Sequence, residues 1–404
     1  MKLDRYIYPI DKDSIEAFEP FGGVLDLRTP EEGGRNLDRE MSDALKRTRL
    51  LFLKPIHIFS EAIASYNKHS KLLEQYNNTL EFGYIRNKTP NAFCWKTDKK
   101  TYIGVTSGLV HYLFGSFSHL LSFPAFLNNH IDASKETDGD YEQLRDALST
   151  EILFNWPFLS DKVEALHRYP IGIERSAAAL ELTHMAILFC FFHELSHYYY
   201  GHLDFLDTKY NCRNINEVKN MNGDDIAKEN LSKRFEIFAD DLAMDQLVNN
   251  IINGDIYEQT LERYYLLSTS INFLLWLFGQ HQLPKPTQKG THPHPAIRIL
   301  AMFIKQKNYN SFGMKNSDDN SQIPDDFSVG STMSLATIDL SKAWHGLDLG
   351  GKDCFSFFVD SSSSTLSESH LNEVRVNDSA LWNEYEMTAK LSLINTVKNL
   401  KSDT

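Results

Sequence analysis

The stretch RSAAALELTHMAILFCFFHELSHYYY, residues 175–200, decides the fold. It is rich in Ala and Leu and contains neither Pro nor Gly, which predicts one long helix. The same stretch contains HELSH at residues 193–197. Because successive residues turn by about 100° around a helix axis, His193 and His197 lie on one face, one turn apart. Both imidazoles can therefore bind one metal ion.

The HELSH motif has the residue types of a catalytic zinc site. Neutral imidazole suits Zn²⁺, and two histidines with one carboxylate leave a fourth position open for water. Glu194 flanks the same face, so we expect it to take a proton from the metal-acidified water and pass it to the leaving amine. The alternatives are a solvated helix face and a satisfied polar cluster in the core. The motif follows LFCFF in an otherwise apolar helix, where unpaired charge would be costly, and this setting favours a metal.

A second helix, from Leu231 to about Ile252, is expected to supply the third ligand. It contains EIFADDLA at residues 236–243, in which Glu236 and Asp240 are four residues apart on one face. One carboxylate can bind the metal while the other orients a ligand histidine. The alternative is an acidic, exposed helix face. A further apolar helix is expected at residues 257–279.

Composition excludes several classes of protein. The 404 residues include 41 Lys and Arg against 54 Asp and Glu, a net charge of -13, and 42% are hydrophobic. Such a chain can bury a core, and it has no basic face for nucleic acid. Its four cysteines have no paired spacing, which fits a reducing compartment rather than a disulfide framework. We expect a cytoplasmic protein without stable membrane insertion, because the apolar runs are short or interrupted.

The chain is expected to have three parts. Residues 1–40 form an N-terminal extension, and residues 41–308 form the catalytic domain, with an insertion at about 122–170. Residues 309–404 form a C-terminal appendage with 14 acidic and 7 basic residues, a net charge of -7. We expect this acidic region to bind a regulatory partner or to act as a lid.

One short β-rich region interrupts the helical pattern. NAFCW at residues 91–95 and TYIGV at residues 101–105 flank the polar turn TDKK. Two such runs around a turn predict a hairpin. The predicted fold class is therefore α+β and mostly helical.

These segments, taken in order, resemble the gluzincin metallopeptidases of the HtpX and CaaX-prenyl-protease kind. The HExxH motif is followed by Gly201 and His202 and then by ExxAD. NAF and VTSGL resemble the edge-strand hairpin and following helix of that family. THP at residues 291–293, with Arg298 and Ile299, resembles its later motif. The Lit-like phage-exclusion peptidases also share HExxH.

The resemblance implies a fold and a role for each matching residue. The core would be of the gluzincin type, with a small sheet packed on the HExxH helix. His193, His197 and Glu236 would bind one zinc ion per chain, and Glu194 would be the general base. The remaining roles fall on residues around this set. Asp240 would hold His193 in its metal-binding tautomer, His292 and Arg298 would lie near the active site as electrophilic or supporting groups, and the hairpin strand Tyr102, Ile103, Gly104, Val105 and Thr106 would pair with an extended substrate peptide.

The function expected from the sequence is that of a zinc-dependent endopeptidase acting on a protein or peptide substrate. The rival interpretations are a catalytically silent zinc-binding regulatory protein of the same fold and a helical scaffold with accidental motifs. His202 and His294 are expected to be exposed or structural, although His294 could take the role of His292. One of the tyrosines at residues 198–200 could face the cleft as an oxyanion donor.

Overall fold

The computed structural model describes residues 11–28, 39–72, 79–136, 169–213, 226–248 and 257–279, together with positions 298, 299, 302, 332, 335, 336 and 340. Most of the predicted appendage at 309–404 and most of the predicted insertion at 122–170 lie outside these residues. The predicted three-part division stays a prediction. By its contacts the chain divides into two compact units, Met1–Val110 with His193–Phe235 and Asp378–Thr404, and His111–Phe192 with Glu236–Asn377.

The described elements are seven α-helices, one three-stranded sheet and a short 3₁₀ turn at Glu19–Phe21. In chain order they are α1 (Lys12–Phe18), α2 (Arg39–Leu72), β1 (Thr79–Ile85), β2 (Ala92–Lys96), β3 (Lys100–Thr106), α3 (Ser107–Leu121), α4 (Ile173–Tyr199), α5 (His202–Tyr210), α6 (Ile226–Leu247) and α7 (Tyr257–Gly279). This content is α+β and mostly helical, as predicted. The helix expected at 257–279 has the predicted bounds, and α6 begins five residues before the predicted Leu231.

The sheet has the strand order β1–β3–β2. β2 and β3 form the predicted antiparallel hairpin, and the Thr97 amide donates to the Lys100 carbonyl across its turn. β1 pairs with the other side of β3 in parallel, from Thr79 opposite Lys100 to Ile85 opposite Thr106. β3 is therefore the central strand.

This position corrects the expected role of the hairpin strand. Tyr102, Ile103, Gly104, Val105 and Thr106 are all buried, and both backbone edges of their strand are paired. The prediction that this strand lies at an edge and pairs with a substrate peptide is wrong. A substrate could reach its backbone only by displacing β1 or β2.

Aromatic packing fixes one face of the sheet. Phe18 of α1 meets Trp95 edge-to-face with ring centroids 4.9 Å apart, and Trp95 stacks on Tyr102 at 5.4 Å. Such aromatic pairs contribute about 0.5–1.5 kcal/mol each beyond area burial. Gly104 makes room for this packing, because a Cβ there would lie 2.3 Å from Cδ1 of Ile85.

Helix α4 lies in the hydrophobic core. Ala179, Leu182, Ala186 and Phe191 are all buried, and the Ser270 hydroxyl of α7 donates to the Leu182 carbonyl at 2.7 Å. Among the residues that the structure describes, α4 is the one helix long and apolar enough to cross a membrane. However, 78% of its most apolar window is buried inside the protein, and the core helix of a soluble protein meets the same criteria.

Candidate metal centre

The two histidines of HELSH meet on one face of α4, as the helical period requires. Their Nε2 atoms lie 3.1 Å apart, and the rings are nearly perpendicular, at 84°. Both side chains are buried, with exposed fractions of 8% for His193 and 0% for His197. The local helix alone is enough to produce this pairing.

Glu236 of α6 completes a group of three possible metal ligands. One ligand atom each from His193, His197 and Glu236 lies within 4.8 Å of the others, and all three residues are buried. Two imidazole nitrogens bound to one tetrahedral Zn²⁺ at about 2.05 Å are about 3.3 Å apart, close to the separation found here. Two imidazoles and one carboxylate form the donor set of an open zinc site. The three residues therefore fit a metal ion.

Glu194 follows His193, the first histidine of HELSH, and is also buried, with 8% of its surface exposed. The pKa of the Cys94 thiol is raised well above its usual range. Burial is the largest cause, and the negative charges of Glu194 and Asp204 raise it further. Cys94 lies in β2. The Glu194 charge thus acts on a residue of strand β2.

Asp240 and Arg298 form a buried ion pair one helical turn from Glu236. The Arg298 Nε and Nη2 donate to the two Asp240 carboxylate oxygens, each at 2.6 Å. Arg298 Nη2 is also 3.8 Å from Glu236 Oε2. Burial alone would lower the pKa of Arg298, but the Asp240 carboxylate, and then Glu236, raise it above its usual value. Arg298 therefore stays charged beside two carboxylates, one of which belongs to the ligand group.

The other predicted site residues have different outcomes. Asp240 accepts hydrogen bonds from Arg298. The predicted role of Asp240, to hold His193 in its metal-binding tautomer, stays a prediction. His292 and His294 lie outside the described residues, so the role of His292 also stays a prediction. Of the three tyrosines, Tyr198 is buried and Tyr199 is 63% exposed.

The sequence left open whether His202 is exposed or structural, and its burial supports the structural alternative. His202 is fully buried, and its Nδ1 lies 2.9 Å from Nδ1 of His197. Gly201, with φ of 71°, lies in the left-handed conformation at the turn between α4 and α5. A glycine just after the helix that carries HELSH is the signal for such a turn, and it would have pointed to the histidine that follows it.

The comparisons with known proteins agree with this geometry. Residues 161–311 match the model of a Lit-like peptidase family, Peptidase U49. The matched segment includes the three possible ligands, Glu194 and the Asp240–Arg298 pair. No curated protein and no solved structure matches the chain. The match indicates a peptidase and supports the resemblance to Lit-like peptidases.

Proposed function

We propose that the chain is a zinc-dependent endopeptidase of the gluzincin type that hydrolyses a protein substrate in the cytoplasm. The observation that supports this most is the buried group of His193, His197 and Glu236 beside Glu194, within a segment that matches a peptidase family. Peptide hydrolysis at neutral pH needs an activated water and a group that carries its proton to the leaving amine. This group of side chains offers both.

In this mechanism His193, His197 and Glu236 hold the ion. When bound, zinc supplies Lewis-acid polarisation and lowers the pKa of water. Glu194 accepts the proton on its carboxylate and delivers it to the leaving nitrogen. The burial of Glu194 strengthens its electrostatic interactions, because little water is present to screen them. His292, or a tyrosine such as Tyr198, is proposed to stabilise the oxyanion.

The Arg298–Asp240 pair is proposed to hold the carboxylate ligand in place. Arg298 donates two hydrogen bonds to Asp240 and lies 3.8 Å from Glu236, so its charge limits the positions that the Glu236 carboxylate can take. The bidentate bonds also keep the Asp240 carboxylate fixed on α6.

A second candidate function is that of a catalytically silent zinc-binding protein that regulates a partner, through the acidic 309–404 region or another surface. The low exposure of the ligands favours it, since none of the three exceeds 8%. A closed coordination site would suit a structural rather than a catalytic zinc ion.

The test uses Glu194→Gln with a control on the same helix, Glu181→Gln, which lies more than three turns away. We expect about one zinc per chain in the parent and in both variants, because neither residue is a proposed ligand. Hydrolysis should fall by roughly 10²- to 10⁴-fold in Glu194→Gln alone, as expected for loss of a general base. Metal content and proteome-wide cleaved termini in cells expressing each variant provide the two measurements.

The outcomes separate the candidates. Glu194→Gln as active as the parent would refute the proposed base. Bound zinc with no cleaved termini above those of Glu194→Gln would favour the silent regulator. Absence of bound metal in the parent would refute both.

A further inference from the structure

The two ring nitrogens of His197 face two different partners. Nε2 lies 3.1 Å from Nε2 of His193, on the side of the ligand group. Nδ1 lies 2.9 Å from Nδ1 of His202, a residue to which the proposed mechanism gives no role. This second distance is that of a good N–H···N hydrogen bond between buried rings.

Proton positions follow from these contacts once the metal site is accepted. A neutral imidazole carries one N–H, and a metal bound at Nε2 leaves that proton on Nδ1. His197 Nδ1 is then the donor, and Nδ1 of His202 must accept. His202 therefore carries its own proton on Nε2.

The position of His202 is tightly defined. Its ring stacks on Phe235 with centroids 4.0 Å apart and planes 16° from parallel, and it also lies against Tyr200 at 5.7 Å. Phe235 immediately precedes Glu236 in α6. The stacking holds Nδ1 of His202 at a fixed point opposite His197.

We infer that His202 is a positioning residue that fixes the tautomer and ring orientation of His197 as a metal ligand. The inference rests on the proposed metal site and deepens it. Ligand histidines commonly donate their second N–H to a carboxylate, a carbonyl or water. Here a neutral imidazole accepts instead, so the contact orients the ligand without adding a negative charge to the buried site.

Three substitutions separate this role from simple packing. His202→Asn places an acceptor, Oδ1, where Nδ1 was, but removes the ring. His202→Leu has nearly the same shape as Asn and lacks the acceptor. His202→Phe keeps a ring to stack on Phe235 and also lacks the acceptor. If His202 positions His197, the His202→Asn protein should retain its zinc affinity and the Leu and Phe variants should lose it. If His202 only packs, the His202→Phe protein should retain zinc affinity best.

The measurement is the zinc dissociation constant of the full chain, obtained by competition with a chromophoric chelator. Visible absorption of the cobalt-substituted protein reports ligand geometry independently of activity. We expect zinc binding about 10- to 100-fold weaker in His202→Leu and His202→Phe, and within a few-fold of the parent in His202→Asn. The cobalt spectrum should change in the same two variants.

Thermal unfolding of the metal-free proteins checks that each variant folds. If His202→Phe does not fold, the matched Asn and Leu pair decides. Parent-like affinity in His202→Phe, or Asn binding as weakly as Leu, would overturn the inference while leaving the proposed function intact. A parent protein that binds no zinc would overturn both.

Discussion

Among the residues that the structure describes, two arginines are buried, and their charges are accommodated in different ways. Arg175, near the start of α4, is completely buried and donates to four backbone carbonyls, those of Leu121, Phe123, Phe126 and Ile131. Its hydrogen-bond partners are neutral, and burial lowers the pKa of Arg175 although the charges of Glu136 and Asp132 act in the opposite direction. Its role is to fasten the segment after α3 to α4.

Arg298 is 7% exposed and is paired with carboxylates instead. It donates two bonds to Asp240 and approaches Glu236, and these charges raise the pKa of Arg298 despite its burial. Burial of an arginine therefore does not by itself mark a functional site. The charge of the hydrogen-bond partners distinguishes Arg175 from Arg298, which the proposed function places beside a metal ligand.

The largest effect should come from breaking the carboxylate-paired arginine. Arg298→Met leaves Asp240 charged and buried without its partner, so we expect the free energy of unfolding to fall by about 3–5 kcal/mol. We also expect at least about tenfold weaker zinc binding, because Arg298 lies beside Glu236. Denaturant unfolding of the metal-free protein and chelator competition measure the two effects.

The double variant Arg298→Met with Asp240→Leu provides the control. It removes both charges, so most of the stability should return while zinc affinity stays low. Recovery of both stability and zinc affinity would show that the pair has no role in the site. Arg298 would then be a structural arginine, as Arg175 is.

The carbonyl-paired arginine should give a somewhat smaller loss, confined to stability. Arg175→Met fills similar volume but leaves four buried carbonyl acceptors without their donor, and we expect a loss of about 2–4 kcal/mol. No second substitution of a single side chain should restore it, since the acceptors belong to the backbone. Zinc affinity of the folded protein, measured as above, should stay within about threefold of the parent. A larger loss of affinity would mean that the two regions are coupled.

The sequence predicted the parts of the site that depend on local geometry. The spacing of His193 and His197 alone requires that they share a face of one helix, and the composition of residues 175–200 predicts that helix. The pattern in α6 identified Glu236 and Asp240 as candidates. Whether Asp240 would meet Arg298, 58 residues later in the chain, depends on tertiary packing that no local pattern encodes.

The sheet shows where sequence reasoning was insufficient. The hairpin of β2 and β3 was predicted because a short turn joins the two strands, but β1 lies upstream and pairs with β3 in parallel. Local alternation carries no information on how many neighbours a strand has. The continuous apolar run YIGV was the available signal, since strands buried on both faces lack alternation, as β3 does. The sequence left the exposed and structural alternatives for His202 open for a similar reason, because its contact with His197 depends on the turn at Gly201.

A third way to bury an ionisable group is to keep it neutral, and His111 of α3 shows it. Burial lowers the pKa of His111 to about 4, whereas an unfolded chain binds that proton near pH 6.5. Between these values the unfolded state holds more protons than the folded state, so folding stability decreases as the pH falls from about 6.5 to 4. The contribution is fully present above pH 6.5. The complete shift would correspond to about 3 kcal/mol, but the side chain is only half-buried, so we expect about 1–2 kcal/mol.

His111→Asn, which cannot titrate, tests this third arrangement. Unfolding free energies of the metal-free parent and variant, measured from pH 7 to pH 4, should show the parent losing about 1–2 kcal/mol more. The other titrating histidines are the same in both proteins, so the difference isolates His111. Parallel curves would mean that His111 takes up its proton in the folded state near its usual pKa. This half-buried histidine would then resemble Arg298, whose charge is accommodated, and would no longer represent a separate neutral arrangement.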